Sequence, residues 1–392
     1  MITNERNTCT EPIKLSGING ANPLGFLSAL GVLVMLNQSG YSRTRLWWER
    51  SVAWIPVLDC GLALDPTALC KTLAAGLRGQ TVGNDAEERR KETQRAFDAA
   101  KKAVKDKQQE IKKRRLRRKE RCAAEESELK PLKVEEERKR RAWLEALKNA
   151  VPRDELAIGK HINCTGDEYR EHVNAFLGTA AYSDRETLDL LAAFGNDASL
   201  DKAGRITATP FCFITGSGHQ YFLDTVRQLT ARVTPEEIHT ALFKTWSYRD
   251  EGLSMRWDPM EDRRYALMDR DPTAADNKPR TVWMANLLAY IALVLFPSAP
   301  HRKSLRTAGW TDAADSPTFT WPIWEQPADL HTIRSLLALR DLIADSPDRA
   351  ELLQRGVVAA FRSRRIQVGN APLFKINFSP ARCLFAQAGG KP

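Results

Sequence analysis

Apolar positions along the chain fall into three regimes. From 22 to 36 they crowd nearly every position: Leu24, Leu27, Ala29, Leu30, Leu33 and Val34 leave little room for a polar face. Such a pattern predicts a buried helix. Asn22 suits its N-cap, and Pro23 suits its first position, where a missing N–H costs nothing. Gly25 and Gly31 weaken the helix from within, which points to close backbone packing. Residues 45–48 and 52–58 predict short strands, and 66–77 predict a short helix.

Between 85 and 150 the apolar positions thin out. Ala, Glu, Lys, Arg and Gln dominate, glycine is absent and Pro131 is the one proline. Strong helix formers over so long a window predict long helices. Phe97, Val104 and Ile111 are spaced by seven, the mark of a narrow coiled-coil-like seam. The expected arrangement is a helical hairpin turning near 121–131. One long broken helix fits the same pattern.

From 151 onward dense apolar patterning returns. Residues 182–194 predict an amphipathic helix, with Ser183 and Glu186 spaced as a capping box. Residues 209–215 predict a strand ending at Gly216-Ser-Gly218. Helices are expected at 220–231, 235–247, 281–295 and 330–343, and strands around 356–368. The whole predicts an α+β fold, mostly helical, in which a long charged hairpin is inserted into a globular body. The expected parts are 1–84 (N-terminal α+β part of the body), 85–150 (basic helical hairpin) and 151–392 (remainder of the body with a basic C-terminal tail).

Charge changes this picture by being local. The 392 residues carry 59 Lys+Arg and 49 Asp+Glu, a net charge of +10. Residues 85–150 hold 23 basic and 15 acidic residues, while 352–392 hold 7 basic and none acidic. The rest of the chain is therefore net acidic, at −5. Local excess of this kind suggests a polyanionic partner. A hydrophobic content of 43% excludes a wholly disordered chain. Seven cysteines without a C-x-x-C pair argue against a disulfide framework or a zinc site, and fit a reducing cytoplasm. The polar start lacks a signal-peptide pattern, and the longest apolar stretch, 283–297, is too short to span a bilayer.

Four segments carry candidate chemistry. Lys112, Lys113, Arg114, Arg115, Arg117, Arg118 and Lys119 put seven cations in eight residues, which repel one another unless an anion is near. A solvated, salt-bridged helix pair is the plainer reading. Gly216, Gly218, His219 and Gln220 lie between a predicted strand and helix, where backbone N–H groups can meet a phosphate. A tight turn explains them as well. Between 246 and 265, Arg249, Arg256, Arg263 and Arg264 interleave with Trp246, Tyr248, Trp257 and Tyr265. Planar cations among aromatic rings suit phosphates and stacked bases, with Trp257 exposed. Asp258, Glu261 and Asp262 in the same segment suit a divalent metal, and mutual pairing into an ion-paired loop suits both sets. Arg362, Arg364 and Arg365 form a cationic patch in the acid-free tail, facing a phosphate backbone or offsetting the acidic body. The histidines form no H-E-x-x-H pattern, and there is no G-x-S-x-G elbow.

Three stretches together resemble CRISPR-associated proteins encoded in type I-G (formerly I-U) loci. They are Leu15-Ser-Gly-Ile-Asn-Gly-Ala-Asn-Pro-Leu-Gly-Phe-Leu-Ser-Ala-Leu-Gly-Val-Leu33, Gly216-Ser-Gly-His-Gln-Tyr-Phe-Leu223 and Ser254-Met-Arg-Trp-Asp-Pro-Met-Glu-Asp-Arg-Arg-Tyr265. The resemblance spans scattered parts of the chain outside the charged segment. It implies a large-subunit-like component of a Cascade surveillance complex acting in antiviral defence. The expected partners are DNA, guide RNA, other effector subunits and a recruited helicase-nuclease, with no membrane. In such a complex, guide pairing reads sequence while protein contacts recognise a flanking motif and hold duplex or displaced strand. The expected role is thus non-catalytic nucleic-acid binding, with no cofactor, resident metal or catalytic residue. Two rivals stand beside it: a metal-dependent nuclease built on Asp258, Glu261 and Asp262, and a scaffold that docks an acidic protein through the hairpin.

Overall fold

The computed structural model of the chain describes residues 11–62, 64–177, 185–214, 220–261, 280–301, 304–312, 316–368 and 375–387. With 51% helix and 18% strand it is α+β with helix dominant. The chain divides into two compact units, one of Met1–Gly79 with Lys160–Pro392 and one of Gln80–Gly159. The first unit, the body, thus draws on both sides of the second, the helical unit, whose ends lie several residues outside the expected 85–150.

The body starts with β1 (Ile13–Lys14) and α1 (Pro23–Gln38). The Asn22 side chain caps α1 by accepting from the Leu24 and Gly25 N–H groups, and every residue from Pro23 to Leu36 is buried. β2 (Arg45–Arg50) and β3 (Trp54–Asp59) form an antiparallel sheet in the order β1-β3-β2. α2 (Pro66–Arg78) follows, capped by Asp65.

The helical unit holds α3 (Asn84–Lys113), α4 (Arg118–Ala124), a π-helical turn (Glu125–Leu129) and α5 (Lys130–Lys148). Lys107 and Arg114 of the first arm both reach Glu128 of the second, and Phe97 stacks on Trp143 at 5.6 Å. Pairs at such decreasing and increasing positions require antiparallel arms. Val104, Ile111, Ala124 and Leu129 form their shared core, joined by Leu116 and Leu132. The seven-residue seam is therefore present at Val104 and Ile111. The chain reverses at 114–117, well before the expected 121–131. Pro131 lies in the first turn of α5, where the π-helical turn before it absorbs the missing N–H.

The body resumes with α6 (Gly166–Leu177) and α7 (Arg185–Phe194). Ser183, the expected cap of α7, lies outside the described residues. The strand expected at 209–215 is not formed in its described part. Pro210 has no N–H to give a ladder, and Cys212 N donates to Thr209 O in a turn. Phe211, Cys212, Phe213 and Ile214 are nevertheless buried. α8 (Phe222–Thr230), α9 (Pro235–Phe243), β4 (Asp250–Glu251), β5 (Arg280–Thr281) and α10 (Trp283–Ile291) come next. α10 continues as a 3-10 turn (Ala292–Leu295), and among the described residues no helix is long and apolar enough to cross a membrane.

α1 packs on α10, and Gly31 makes this possible. A Cβ on Gly31 would sit 1.9 Å from the Leu288 carbonyl oxygen. Ser28 Oγ bridges the pair, 2.6 Å from Leu24 O and 2.9 Å from Ala285 O. The remaining strands are β6 (Ser298–His301), β7 (Ser304–Thr307), β8 (Trp310–Asp312), β9 (Pro317–Trp324), β10 (Val357–Val368), β11 (Lys375–Phe378) and β12 (Arg382–Ala386). β10 pairs with β9, β11 and β12, all antiparallel. Helix at 330–343 is interrupted: α11 (Leu330–Leu337) and α12 (Arg340–Ile343) are separate. Trp321 Nε1 donates to Gly20 O at 2.9 Å and Trp324 Nε1 to Leu46 O at 2.7 Å, tying the two sheets of the body together.

Candidate functional site

The turn of the helical unit gathers its cations as the sequence places them. α3 ends in Lys112 and Lys113, Arg115 takes a left-handed backbone (φ 51°), and Arg117 stands at the N-cap of α4, followed by Arg118 and Lys119. All six are exposed, and none forms an ion pair among the described residues. Arg114 differs. It pairs with Glu110 and with Glu128 (2.7 Å), and Lys107 joins the same two carboxylates. The Arg114 guanidinium holds the Glu128 carboxyl below its ordinary value, and the Lys107 ammonium does the same for Glu110. Glu120, the acid nearest the turn, accepts the Arg117 backbone N–H at 3.0 Å.

Many cations of the arms have a local acidic partner. Arg90 pairs with Glu87, Lys91 with Glu88, Arg121 with Glu125, Lys130 with Glu126, Arg138 with Glu135, Arg141 with Glu137 and Lys148 with Glu145. These are three- and four-residue spacings on helix surfaces, each worth little and each neutralising its neighbour. The salt-bridged reading of the helix pair therefore fits these arms. Arg89, Arg95, Lys101, Lys102, Lys105 and Lys133 of the arms are likewise exposed and without an ion pair among the described residues, but they are scattered, whereas the turn holds six such cations in eight residues.

The segment 246–261 departs from expectation. Trp257 is fully buried, and its Nε1 donates to Phe211 O at 3.0 Å, so it is no exposed stacking platform. Apolar neighbours explain this: Phe211 and Phe222 meet its ring edge-on. Arg256 is 5% exposed with Nη1 unpartnered among the described residues, so it faces no phosphate at the surface. Asp258 is 1% exposed and accepts from Asn22 Nδ2 (2.8 Å), Tyr248 OH (2.8 Å) and Met260 N (2.9 Å). Burial pushes its carboxyl above the ordinary range. Glu261, also 1% exposed, accepts from Ser254 Oγ, and burial pushes its carboxyl up to about 7.

These two carboxylates therefore serve the fold. Asp258 holds the side chain that caps α1, and Glu261 holds Ser254, whose Oγ accepts the Arg256 N–H. Asn286 of α10 accepts the Met255 N–H and donates to Thr281, extending the same network. The network keeps Tyr248, Leu253 and Arg256 at φ 53°, 51° and 67°, a costly conformation for residues with side chains. Among the described residues no group of three or more His, Cys, Asp and Glu side chains could hold a metal ion. Asp262, Arg263 and Arg264 lie outside the described residues, as do Gly216, Gly218 and His219. Gln220 is half-buried at the entry to α8.

The C-terminal patch is no free tail. Arg362, Arg364 and Arg365 lie on β10, inside the sheet. Arg362 donates to Thr320 Oγ1 (2.8 Å) and to the Ala344 carbonyl (2.6 Å). Arg365 donates to Cys212 O (3.3 Å), and its guanidinium lies 5.5 Å from the Phe213 ring centroid. Burial lowers the pKa of both guanidinium groups. Arg364 alone of the three is exposed. Local sequence could not show this, because the partners of Arg362 and Arg365 lie up to 153 residues away.

No known protein family, no curated protein and no solved structure matches the chain.

Proposed function

We propose that the chain is a non-catalytic nucleic-acid-binding subunit of an RNA-guided, type I CRISPR surveillance complex. The charged helical hairpin makes the contact. The observation that carries this reading is the turn at 112–119, where Lys112, Lys113, Arg115, Arg117, Arg118 and Lys119 are exposed and uncompensated. Phosphates are the common polyanion that relieves such a cluster, by releasing their condensed counterions. The resemblance of 15–33, 216–223 and 254–265 to type I-G proteins supplies the cellular setting. In that setting the partners are DNA, guide RNA, neighbouring effector subunits and a helicase-nuclease. Arg364 offers a further, isolated contact on the body.

A variant with all six turn cations replaced by Gln tests the reading. Purified without nuclease treatment, the unaltered protein carries nucleic acid, seen in its ultraviolet absorbance, and the variant carries much less. Equal loading of the two proteins removes the hairpin from nucleic-acid binding. A protein partner retained after nuclease treatment, with no nucleic acid bound, supports the acidic-partner scaffold instead.

A further inference from the structure

We infer that the body holds a small oxyanion between its larger sheet and the segment 211–213, gripped by Trp310, Ser363 and Arg365. This site is separate from the cationic turn and independent of the nucleic-acid reading.

Strand register brings the three residues together. Trp310 of β8 lies opposite Phe319 of β9, and Phe319 lies opposite Ser363 of β10. Residues paired across neighbouring strands share a face of the sheet, so these three point the same way. Arg365 stands two residues beyond Ser363 and shares that face; opposite it is Phe378 of β11. The Trp310 and Phe378 rings stack at 5.7 Å, although β8 and β11 stand at opposite ends of the order β11-β10-β9-β8. Neighbouring strands lie about 4.8 Å apart, so the two rings meet only by reaching over the strands between them, where Ser363 and Arg365 stand. Segment 211–213 covers this row. The Phe211 ring lies 5.1 Å from Trp310 and the Phe213 ring 4.7 Å from Phe378. The Arg365 guanidinium lies against Phe213, and its Nη2 donates to Cys212 O.

Polar atoms in this row lack acceptors. Ser363 is 1% exposed and Trp310 7%, yet Ser363 Oγ and Trp310 Nε1 are enclosed without a hydrogen-bond partner among the described residues, as is Arg365 Nε. An unmet buried group carries the full cost of its desolvation. Two of the three atoms are N–H donors, and the hydroxyl can donate as well. Arg365 forms no ion pair among the described residues, and Cys212 is the one titratable neighbour that acts on its charge. Burial keeps the groups nearby uncharged. It pushes the Cys212 thiol up to about 12 and lowers the pKa of His161, whose ring nitrogens lie 3.9 and 4.0 Å from Cys212 Sγ. The guanidinium is therefore the charge at the site, and the groups around it are donors. A water molecule meets the neutral groups; only an anion also offsets the guanidinium charge. Oxygen anions such as phosphate, sulfate and carboxylate are what guanidinium and N–H donors bind most strongly. Enclosure limits the occupant to a small one, and half-buried Arg365 leaves a way in from solvent.

Full-length protein with tryptophan labelled at the indole nitrogen reports on the site by magnetic resonance. The Trp310 indole resonance is identified by its absence from Trp310→Phe. Sodium phosphate, sodium sulfate and sodium acetate are each titrated against sodium chloride of matched ionic strength. The expected result is a saturable downfield shift of the Trp310 indole proton with at least one oxyanion and none with chloride. The tightest of the three identifies the source, a tetrahedral oxyanion or a carboxylate. Arg365→Gln is expected to weaken that binding about tenfold or more, and Ser363→Ala about threefold or more. The other indole resonances show that each variant keeps its fold, and Ser363→Ala, the smaller change, carries the test where Arg365→Gln does not fold. Gln at the six turn cations leaves the Trp310 response unchanged, because the turn belongs to the other unit.

An indole resonance that no oxyanion moves overturns the inference and leaves water as the partner of the three groups. A shift that chloride reproduces overturns it too, since that is an effect of ionic strength. So does a shift that Arg365→Gln and Ser363→Ala leave intact, because the anion then binds elsewhere. Loss of the response in the six-cation variant assigns the anion to the turn and overturns the site in the sheet.

Discussion

At the scale of single residues, the buried acids of 246–261 matter most. Glu261 is held by Ser254, with the Arg256 charge opposing and the Asp258 charge adding to the upward push of burial. An acid whose pKa is raised by folding binds its proton more tightly in the folded chain. Its contribution to stability is full below its ordinary value of 4.5 and is lost as pH rises toward about 7. The loss is bounded at about 3 kcal/mol, from ~1.4 kcal/mol per pKa unit. Glu261→Gln cannot ionise, so urea midpoints of variant and unaltered protein should diverge over that window, with the variant gaining as pH rises. Parallel curves would show that Glu261 does not ionise differently in the two states. Asp258 shifts in the same direction, so a smaller slope remains in the variant. The sequence displayed the cap of α1, because Asn22 and Pro23 are adjacent. It could not display that Asn22 is held by an acid 236 residues on. It did show matched numbers of Arg and carboxylate, but that balance does not explain the buried acids, which are held by the neutral donors Asn22, Tyr248, Met260 N and Ser254. Trp257 carried no such signal, since a tryptophan beside arginines looks the same whether buried or exposed.

At the scale of elements, the position of the chain reversal in the helical unit turns on two competing signals. Pro131 is the only proline between 85 and 150, and a proline usually ends or kinks a helix. Here it follows a π-helical turn, whose looser hydrogen bonding accommodates a residue without an N–H. The real reversal at 114–117 contains neither glycine nor proline. Arg115 adopts the left-handed backbone that glycine would take freely. Repulsion among successive cations disfavours continued helix there, a signal visible in the sequence as the charge run itself. The heptad was legible because it needs only local spacing. Val134 is apolar yet 65% exposed, so the second arm also carries an apolar position outside the shared core. Val104 and Ile111 hold the arms together, so Ile111→Ala should cost about 2–4 kcal/mol of the unit's stability. Loss of helical circular dichroism at lower urea than the unaltered protein checks this. An unchanged helical transition would mean that the arms do not depend on the seam.

At the scale of the whole molecule, charge and core divide along the same line. Residues 80–159 carry 24 basic and 17 acidic side chains, a net of +7, and the remaining residues carry +3. The expected −5 body with a basic tail becomes a nearly balanced body, because the cations of β10 belong to its sheet. The helical unit has its own small core of Val104, Ile111, Ala124 and Leu129. The body has a different one, in which α1 and α10 meet at Gly31 and aromatic rings such as Phe26, Trp48, Trp321 and Trp324 pack together. Separate cores predict separate unfolding, since cooperativity belongs to a shared core. Calorimetry should then resolve more than one transition. Gly31→Ala labels the body: helix propensity favours Ala by about 1 kcal/mol, but a Cβ 1.9 Å from a backbone oxygen forces overpacking worth about 1–3 kcal/mol or more. The clash exceeds the gain, so the body transition moves down while the helical one stays. Ile111→Ala moves the helical transition and spares the body. A single transition displaced equally by both variants would mean that the units fold as one. In that event, substitutions at the cationic turn would also act on the body, and their effect on binding would have to be measured against its stability.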